Sequence, residues 1–250
     1  MKIAIHADRP ALAAAAAVDA ATILQHTLAE QSRATVVVAT GTSQLEVLAA
    51  FAAADIAWER VEFFHLDEYC GLPADHPASF RRYLRERFFD LLPRRPAAFH
   101  WIEAEATAEH ECRRLAKLVP PGDFDLMLCG IGENAHLAFN DPPADFEAAD
   151  PYRVVALDEA CRRQQVGEGW FATFDDVPTQ AISMSIRRIL AARAIICSVP
   201  DARKAAAVRD SVRGPVTPQV PASILQRHAD CRLHVDRAAA AFLDHPLVLR

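Results

Sequence analysis

Short apolar runs alternate with longer segments of helical periodicity along most of the chain. A strand is predicted over Met1 to Ile5, followed by an alanine-rich segment from Ala11 to Glu30 in which Val18, Ile23 and Leu24 form an apolar stripe. Alanine has the best intrinsic helix propensity, so this segment reads as a helix. Thr35-Val-Val-Val-Ala39 is a β-branched run that reads as a buried strand, and Gln44 to Ala53 reads as the helix behind it. Arg60 to Leu66 and Phe124 to Cys129 are further apolar runs of the kind a parallel strand shows when helices cover both its faces. From Ser79 the spacing of Phe80, Tyr83, Leu84, Phe88 and Leu91 predicts one amphipathic helix, with Pro77 just ahead of its start. Strands are also expected at Phe99 to Ile102, Arg153 to Leu157, Ala181 to Met184, Ala194 to Val199 and Cys231 to Val235. Helices are expected at Thr107 to Leu118, Asp201 to Val212, Pro221 to Gln226 and Arg237 to Leu243.

Strands alternating with helices imply an α/β protein, a three-layer α/β/α sandwich around a Rossmann-like, mostly parallel sheet. No internal repeat or low-complexity linker divides the chain, so residues 1–250 read as a single domain. The formal net charge of −6 argues against a nucleic-acid partner, which would require a basic face. No run approaches the roughly 18 consecutive apolar residues of a membrane span, and the first residues lack the pattern of a signal peptide. The six cysteines are widely spaced with no C-x-x-C pair, and Cys129 and Cys197 sit in strand-like runs as small hydrophobes. A cytoplasmic location is expected.

The candidate chemistry gathers where strands end. Phe124 to Pro143 reads FDLMLCGIGENAHLAFNDPP: the strand stops at Gly130-Ile-Gly132, and Glu133, Asn134, His136, Asn140 and Asp141 follow at once. Gly130-x-Gly132-x-x-Ala135 formally matches a dinucleotide fingerprint, which needs a helix of several turns behind it. Pro142-Pro143 interrupts the segment too soon for that helix, because a proline inside a helix costs about 3 kcal/mol. A second stretch, Thr40-Gly41-Thr42-Ser43, places a glycine and three hydroxyls between a strand end and a helix start. It suits either a phosphate or an ordinary N-cap. A third, Asp67-Glu68, puts two acids at the end of a buried strand, where they must be solvated, paired or used.

Strand ends on one edge of a sheet can meet in one cleft. The three stretches together supply a phosphate cradle, a carboxylate base, and an imidazole with an acid five residues on. Such equipment moves protons on a phosphorylated small molecule.

Two segments carry a family resemblance: Phe64-His-Leu-Asp67-Glu-Tyr69-Cys-Gly71-Leu-Pro73 and Gly130-Ile-Gly132-Glu-Asn134-Ala-His136-Leu-Ala138-Phe139-Asn140-Asp141-Pro142. They resemble the signature stretches of the glucosamine-6-phosphate deaminases (isomerases), over most of the chain. His136-Leu-Ala-Phe-Asn-Asp141-Pro142 separates these from the related 6-phosphogluconolactonases. The resemblance implies conversion of glucosamine 6-phosphate to fructose 6-phosphate and ammonia. It implies that Asp67 moves the proton between C2 and C1, and that His136 opens the sugar ring with Asn134 and Asp141 positioning it. Thr40, Gly41, Thr42, Ser43 and Lys204 would hold the phosphate. The implied partner is a small-molecule sugar phosphate, with no cofactor, no metal and no membrane, and a homo-oligomer is allowed. A 6-phosphogluconolactonase-like hydrolase is the alternative, and a non-catalytic sugar-phosphate sensor the second.

This sequence departs from the family pattern at several positions. Many members carry an acid where Asn134 stands and a glutamate where Asp141 stands, and a more glycine-rich phosphate turn. An arginine that many use near the substrate falls at Gln165, which leaves Lys204 as the main cation for a phosphate and Arg162 or Arg163 as substitutes. By residue type alone His65 and His76 read as packing or surface histidines, Glu68 and Tyr69 as partners of their loop, and Lys204 as a solvated lysine at a helix start.

Overall fold

The computed structural model describes residues 1–105 and 107–243. In chain order its elements are β1 (Lys2–His6), α1 (Arg9–Glu30), β2 (Ala34–Val38), α2 (Leu45–Ala52), β3 (Val61–His65), β4 (Asp67–Tyr69), α3 (Phe80–Arg87), β5 (Ala98–His100), α4 (Ala108–Leu118), β6 (Phe124–Cys129), β7 (Tyr152–Ala156), α5 (Glu159–Gly167), β8 (Gln180–Met184), α6 (Ile186–Leu190), β9 (Ala192–Val199), α7 (Ala205–Arg213) and β10 (Cys231–Asp236). Seven strands form one sheet in the order β1-β10-β9-β6-β2-β3-β5, and every pairing in it is parallel.

Because both faces of this sheet are covered, its inner strands β2, β6 and β9 are mostly apolar and alternate in which layer they serve, whereas the edge strand β1 is partly exposed. Val36 and Val38 pack with α1 and α2, around Leu24, Leu48 and Phe51, while Val37 faces the opposite layer with Leu115 of α4 and Val208 of α7. The expected three-layer α/β/α sandwich is therefore present. α1 starts where Asp8 accepts the Ala11 N–H at 2.9 Å, and Pro10 occupies its first turn. By length and composition α1 could cross a bilayer, which the run-length reading missed, but half of its apolar window is buried against the sheet.

The structure differs from the pattern-based expectations in several places. β4, β8 and β7 form a separate antiparallel sheet of three strands, so the runs at 153–157 and 181–184 do not join the main one. The helix expected to reach Leu91 ends at Arg87, where Phe88 leaves helical geometry (φ −139°, ψ −61°). Its ring is instead buried against Phe51, Trp58 and Phe63. Residues Pro221–Arg227 form a 3-10 helix, and 237–243 form turns rather than a helix. There the Asp236 carboxylate takes the Ala239 N–H at 2.7 Å, a local side-chain bond that competes with helix propagation. α5 has few apolar residues and α6 spans only five residues, so neither shows periodicity, but Asp158 and Ser185 cap them at Cys161 N (2.6 Å) and Arg188 N (3.3 Å).

Candidate active site

Four neighbouring strands, β9, β6, β2 and β3, end on one side of the sheet, and the chain reverses its strand order between β2 and β6. Ligands of open α/β sheets sit at such a reversal. The cleft there is lined by Thr40 to Ser43 after β2, Asp67 after β3, Gly130 to Gly132 and His136 after β6, and Lys204 after β9.

After β2 the backbone turns at Gly41 with φ +98°, a conformation that glycine adopts without a Cβ penalty. The loop's carbonyls are taken from outside: Tyr83 Oη donates to Gly41 O at 2.8 Å and Arg9 donates to Thr42 O. Among the described residues no hydrogen bond uses the N–H groups of Gly41, Thr42 or Ser43, and no side chain caps the helix that follows. The N-cap reading of these hydroxyls therefore does not hold, and the loop presents free donors to the cleft. Gln44 ties this loop to the ends of β6 and β9 through Cys129 O (3.4 Å) and Ser198 O (3.2 Å). That approach needs Gly130, because a Cβ there would lie 3.1 Å from Gln44 Nε2 and 3.2 Å from Ser43 Oγ.

Asp67 opens β4, paired across from Ser183 of β8. It is 7% exposed, and among the described residues its carboxylate makes no hydrogen bond. Burial, and secondarily the Glu68 carboxylate, push its pKa well above the ordinary carboxylate range. Glu68 points away into a structural role. It accepts Ser79 Oγ at 2.9 Å and the N–H groups of Tyr69, Phe80 and Arg81 at 3.0–3.1 Å, so it starts α3, and it pairs with the Arg81 guanidinium at 3.3 Å. His65 is a core histidine: burial lowers its pKa to about 3, and its Nε2 accepts the Ile102 N–H at 2.9 Å. His76 accepts the Ala78 N–H at 3.1 Å and stacks on Phe171.

The His136 ring lies directly over Gly132, where a Cβ would come within 2.3 Å of it. Ala135 (φ 66°) and Ala138 (φ 52°) are held in the left-handed region on either side, strain of the kind that accompanies functional loops. Asn140 fastens the loop to β8 through Met184 O (2.9 Å) and its own turn through Leu137 O (2.8 Å). Nδ1 of His136 is 3.1 Å from Asp141 Oδ1, close in distance although the N–H is not well aligned on the oxygen. Asn134 and Asp141 stand behind the histidine and do not line the cleft. Asn134 does not touch the imidazole: its Oδ1 accepts the His136 backbone N–H at 3.1 Å, and its Nδ2 donates to Asp141 at 3.1 Å and reaches Asp158 at 3.5 Å. Burial alone would raise the Asp141 pKa, but the contacts with His136 and Asn134 outweigh it and hold the carboxyl below its usual value.

Lys204 is 6% exposed rather than solvated, and among the described residues it forms no ion pair within 4 Å. Burial lowers its pKa, opposed by the more distant Glu168 and Glu133. It is the one lysine or arginine lining the cleft among the described residues. Arg162 and Arg163 do not replace the arginine missing at Gln165. Arg162 donates to Phe174 O and Val177 O from above the Phe174 ring, and Arg163 pairs with Glu159, both outside the cleft. Gln165 does line it, with its Oε1 accepting from Tyr69 Oη at 2.7 Å, which leaves the amide NH₂ as a neutral donor. Gln164 and Glu168 of the same segment also line the cleft, and sequence reasoning missed them because α5 was not anticipated. Gln164 and the Trp170 indole hold the Glu168 carboxylate at 2.7 and 3.1 Å. The Asp158 cap at the start of that helix was the available signal.

Comparison with known proteins agrees with this geometry. Residues 7–234 match the family model described as glucosamine-6-phosphate isomerases/6-phosphogluconolactonase. A glucosamine-6-phosphate deaminase of Exiguobacterium sibiricum is 38% identical over 209 residues, 84% of this chain and 81% of that protein. One from Streptococcus pneumoniae is 36% identical over 222 residues, 89% of this chain and 92% of its own length. A solved monomeric glucosamine-6-phosphate deaminase superposes with a TM-score of 0.88 at 31% identity, covering 96% of this chain and 99% of its own. A 6-phosphogluconolactonase from Thermotoga maritima shares the fold, with a TM-score of 0.78 at 17% identity over 94% of this chain and 99% of its own. A cleft at the switch point, a parallel sheet of this order and relatives matching along nearly the whole length lead to one assignment: the chain belongs to the family of glucosamine-6-phosphate isomerases and 6-phosphogluconolactonases.

Proposed function

We propose that this protein is an isomerising deaminase that converts glucosamine 6-phosphate and water to fructose 6-phosphate and ammonia. One observation carries the reading: a buried carboxylate at Asp67 and a carboxylate-backed imidazole at His136 line one cleft, with Lys204 and the N–H groups of 41–43 beside them, Asp67 and those N–H groups making no hydrogen bond among the described residues. His136, with Nδ1 toward Asp141, has Nε2 left for the substrate. It accepts the proton of the anomeric hydroxyl and returns one to the ring oxygen as the C1–O5 bond breaks. In the open-chain aldehyde the C2 proton is acidic, and Asp67 takes it and delivers it to C1. Loss of hydration makes the Asp67 carboxylate a stronger base than one in water, which suits abstraction from carbon. The resulting imine at C2 adds water and expels ammonia. Lys204, Gln165 and the loop 40–43 hold the phosphate, so the binding energy of the distant phosphate positions the reacting carbons.

Lactone hydrolysis is the second reading, since the fold is shared with 6-phosphogluconolactonases. It needs one base to activate water and gives Asp67 nothing to do. Relatives named as deaminases, matching over most of the chain, also favour deamination. Residues 1–250 would act as one catalytic domain in the cytoplasm, in keeping with six cysteines that are all free. Purified protein should release ammonia and form fructose 6-phosphate from glucosamine 6-phosphate in equal amounts. Hydrolysis of 6-phosphogluconolactone without ammonia release would favour the second reading, and sugar-phosphate binding without turnover of either substrate would favour a sensor.

A further inference from the structure

The reaction leaves one nucleophile beside the histidine unused. Cys161, in the first turn of α5, is 1% exposed, and its thiol faces the pair behind the cleft. The donor atoms of His136, Asp141 and Cys161 all lie within 4.8 Å of one another. Nδ1 of His136 is shut off from solvent and makes no aligned hydrogen bond among the described residues.

We infer that His136, Asp141 and Cys161 form a capture site for a thiophilic divalent cation, zinc above all, whose occupation blocks the active site. The donor set is one imidazole nitrogen, one carboxylate oxygen and one sulfur, a combination that suits zinc and its cobalt surrogate and does not suit magnesium or calcium. Spacing agrees with this. Two donors each about 2.0–2.1 Å from a tetrahedral zinc stand roughly 3.4 Å apart, and His136 Nδ1 and Asp141 Oδ1 are already 3.1 Å apart. The sulfur, within 4.8 Å of the other two donors, has to close by at most about 1.3 Å to reach its ~2.3 Å bond.

Inhibition follows from the nitrogen that is used. An imidazole bound through Nδ1 keeps its single proton on Nε2, so it can no longer accept one from the sugar and the ring-opening cycle stops. Asn134 and the Asp158 N–H, which hold Asp141 at 3.1 and 3.3 Å, already act as the outer layer that orients a metal's carboxylate ligand.

Cobalt(II) and zinc added to the purified, metal-free protein test the site without any substrate. Wild-type protein should show a thiolate-to-cobalt charge-transfer absorption in the near ultraviolet, displaced by zinc and lost in both Cys161→Ala and Cys161→Ser. Zinc should inhibit ammonia release reversibly, with chelator restoring the rate. Changing groups behind a metal's ligands already costs about 10- to 100-fold in affinity, so removing the sulfur should raise the inhibitory zinc concentration at least that much. Metal-free Cys161→Ala should turn over within about twofold of wild type, and if its packing fails, Cys161→Ser carries the test. An unchanged cobalt spectrum in the variants, or equal zinc inhibition of wild type and variants, overturns the proposal. The cobalt measurement does not depend on the deaminase reading, so protein that binds cobalt through Cys161 and releases no ammonia would count against that reading alone.

Discussion

The contact between Gly132 and His136 allows catalysis to be perturbed with little damage to the fold. Gly132 has no left-handed backbone angle, so alanine can adopt its conformation, and the effect of Gly132→Ala comes entirely from the added methyl. That methyl would sit 2.3 Å from Cε1 and Nε2 of His136 and 2.4 Å from Cδ2. Carbon atoms in contact sit about 3.5–4.0 Å apart, so the ring must retreat by more than about 1 Å. It can do so because it is the free end of a side chain, and the stability cost should fall below the ~1–3 kcal/mol of overpacking a rigid core. The retreat breaks the 3.1 Å approach of Nδ1 to Asp141 and moves Nε2 within the cleft. A displacement of about 1 Å can cost roughly 100-fold in rate, and positioned acid–base groups contribute about 10²–10⁴-fold, so kcat should fall at least 100-fold. Ammonia release from glucosamine 6-phosphate gives the rate, thermal unfolding the stability, and an open-chain substrate analogue isolates ring opening. The analogue should recover a large part of the lost rate. A variant within about threefold of wild type, or one equally defective on cyclic and open-chain substrates, would refute the assignment of His136 to ring opening.

Asp67→Asn should abolish deamination while KM or ligand affinity changes by less than about threefold, and loss of binding together with turnover would argue against a base at this position. Because only the Asp67 carboxylate can accept the C2 proton, the acidic limb of kcat should lie above the ordinary carboxylate value of about 3.9, and a pH–rate profile locates it. The same raised pKa affects stability: the folded state binds this proton more tightly than the unfolded chain, so stability is present at low pH and is lost as pH rises through the folded value. Melting temperatures across that window should therefore show wild type losing ground to Asp67→Asn, and parallel curves would mean the carboxylate is not desolvated. Lys204→Ala removes the one lysine or arginine that lines the cleft among the described residues, a charge-assisted contact of about 1.5–3 kcal/mol, and should raise KM by roughly 10- to 150-fold for glucosamine 6-phosphate. Activity on unphosphorylated glucosamine should stay where it is, and equal losses on both substrates would move the phosphate elsewhere. Asn134→Ala strips Asp141 and the His136 N–H of a partner each, which should cost about 1–3 kcal/mol in denaturant unfolding. An unchanged unfolding midpoint would show that water replaces the amide at no cost.

Much of this protein can be read from the chain before it folds, because the determining physics is local. Alanine propensity sets α1, β-branched and apolar runs set β2, β3 and β6, and a strand broken by Gly130 and Gly132 can only turn there. Asp67, His136 and the loop 40–43 were legible because polar groups placed directly after buried strands are costly unless used. Other features depended on residues distant in sequence. In the antiparallel trio β4, β8 and β7, β4 pairs with β8 across more than a hundred residues of sequence, and alternation alone does not say which sheet a strand joins. α5 carries too few apolar residues for periodicity, so Gln164 and Glu168 entered the cleft unannounced. Lys204 looks like a surface lysine until β9 and the 3-10 turn after it bury it beside the cleft, whereas Arg162 and Arg163, equally basic, are turned onto Phe174 and Glu159. Charge is written in the sequence, but the solvation and the neighbours that give a charge its chemistry arise only when the strands are brought together.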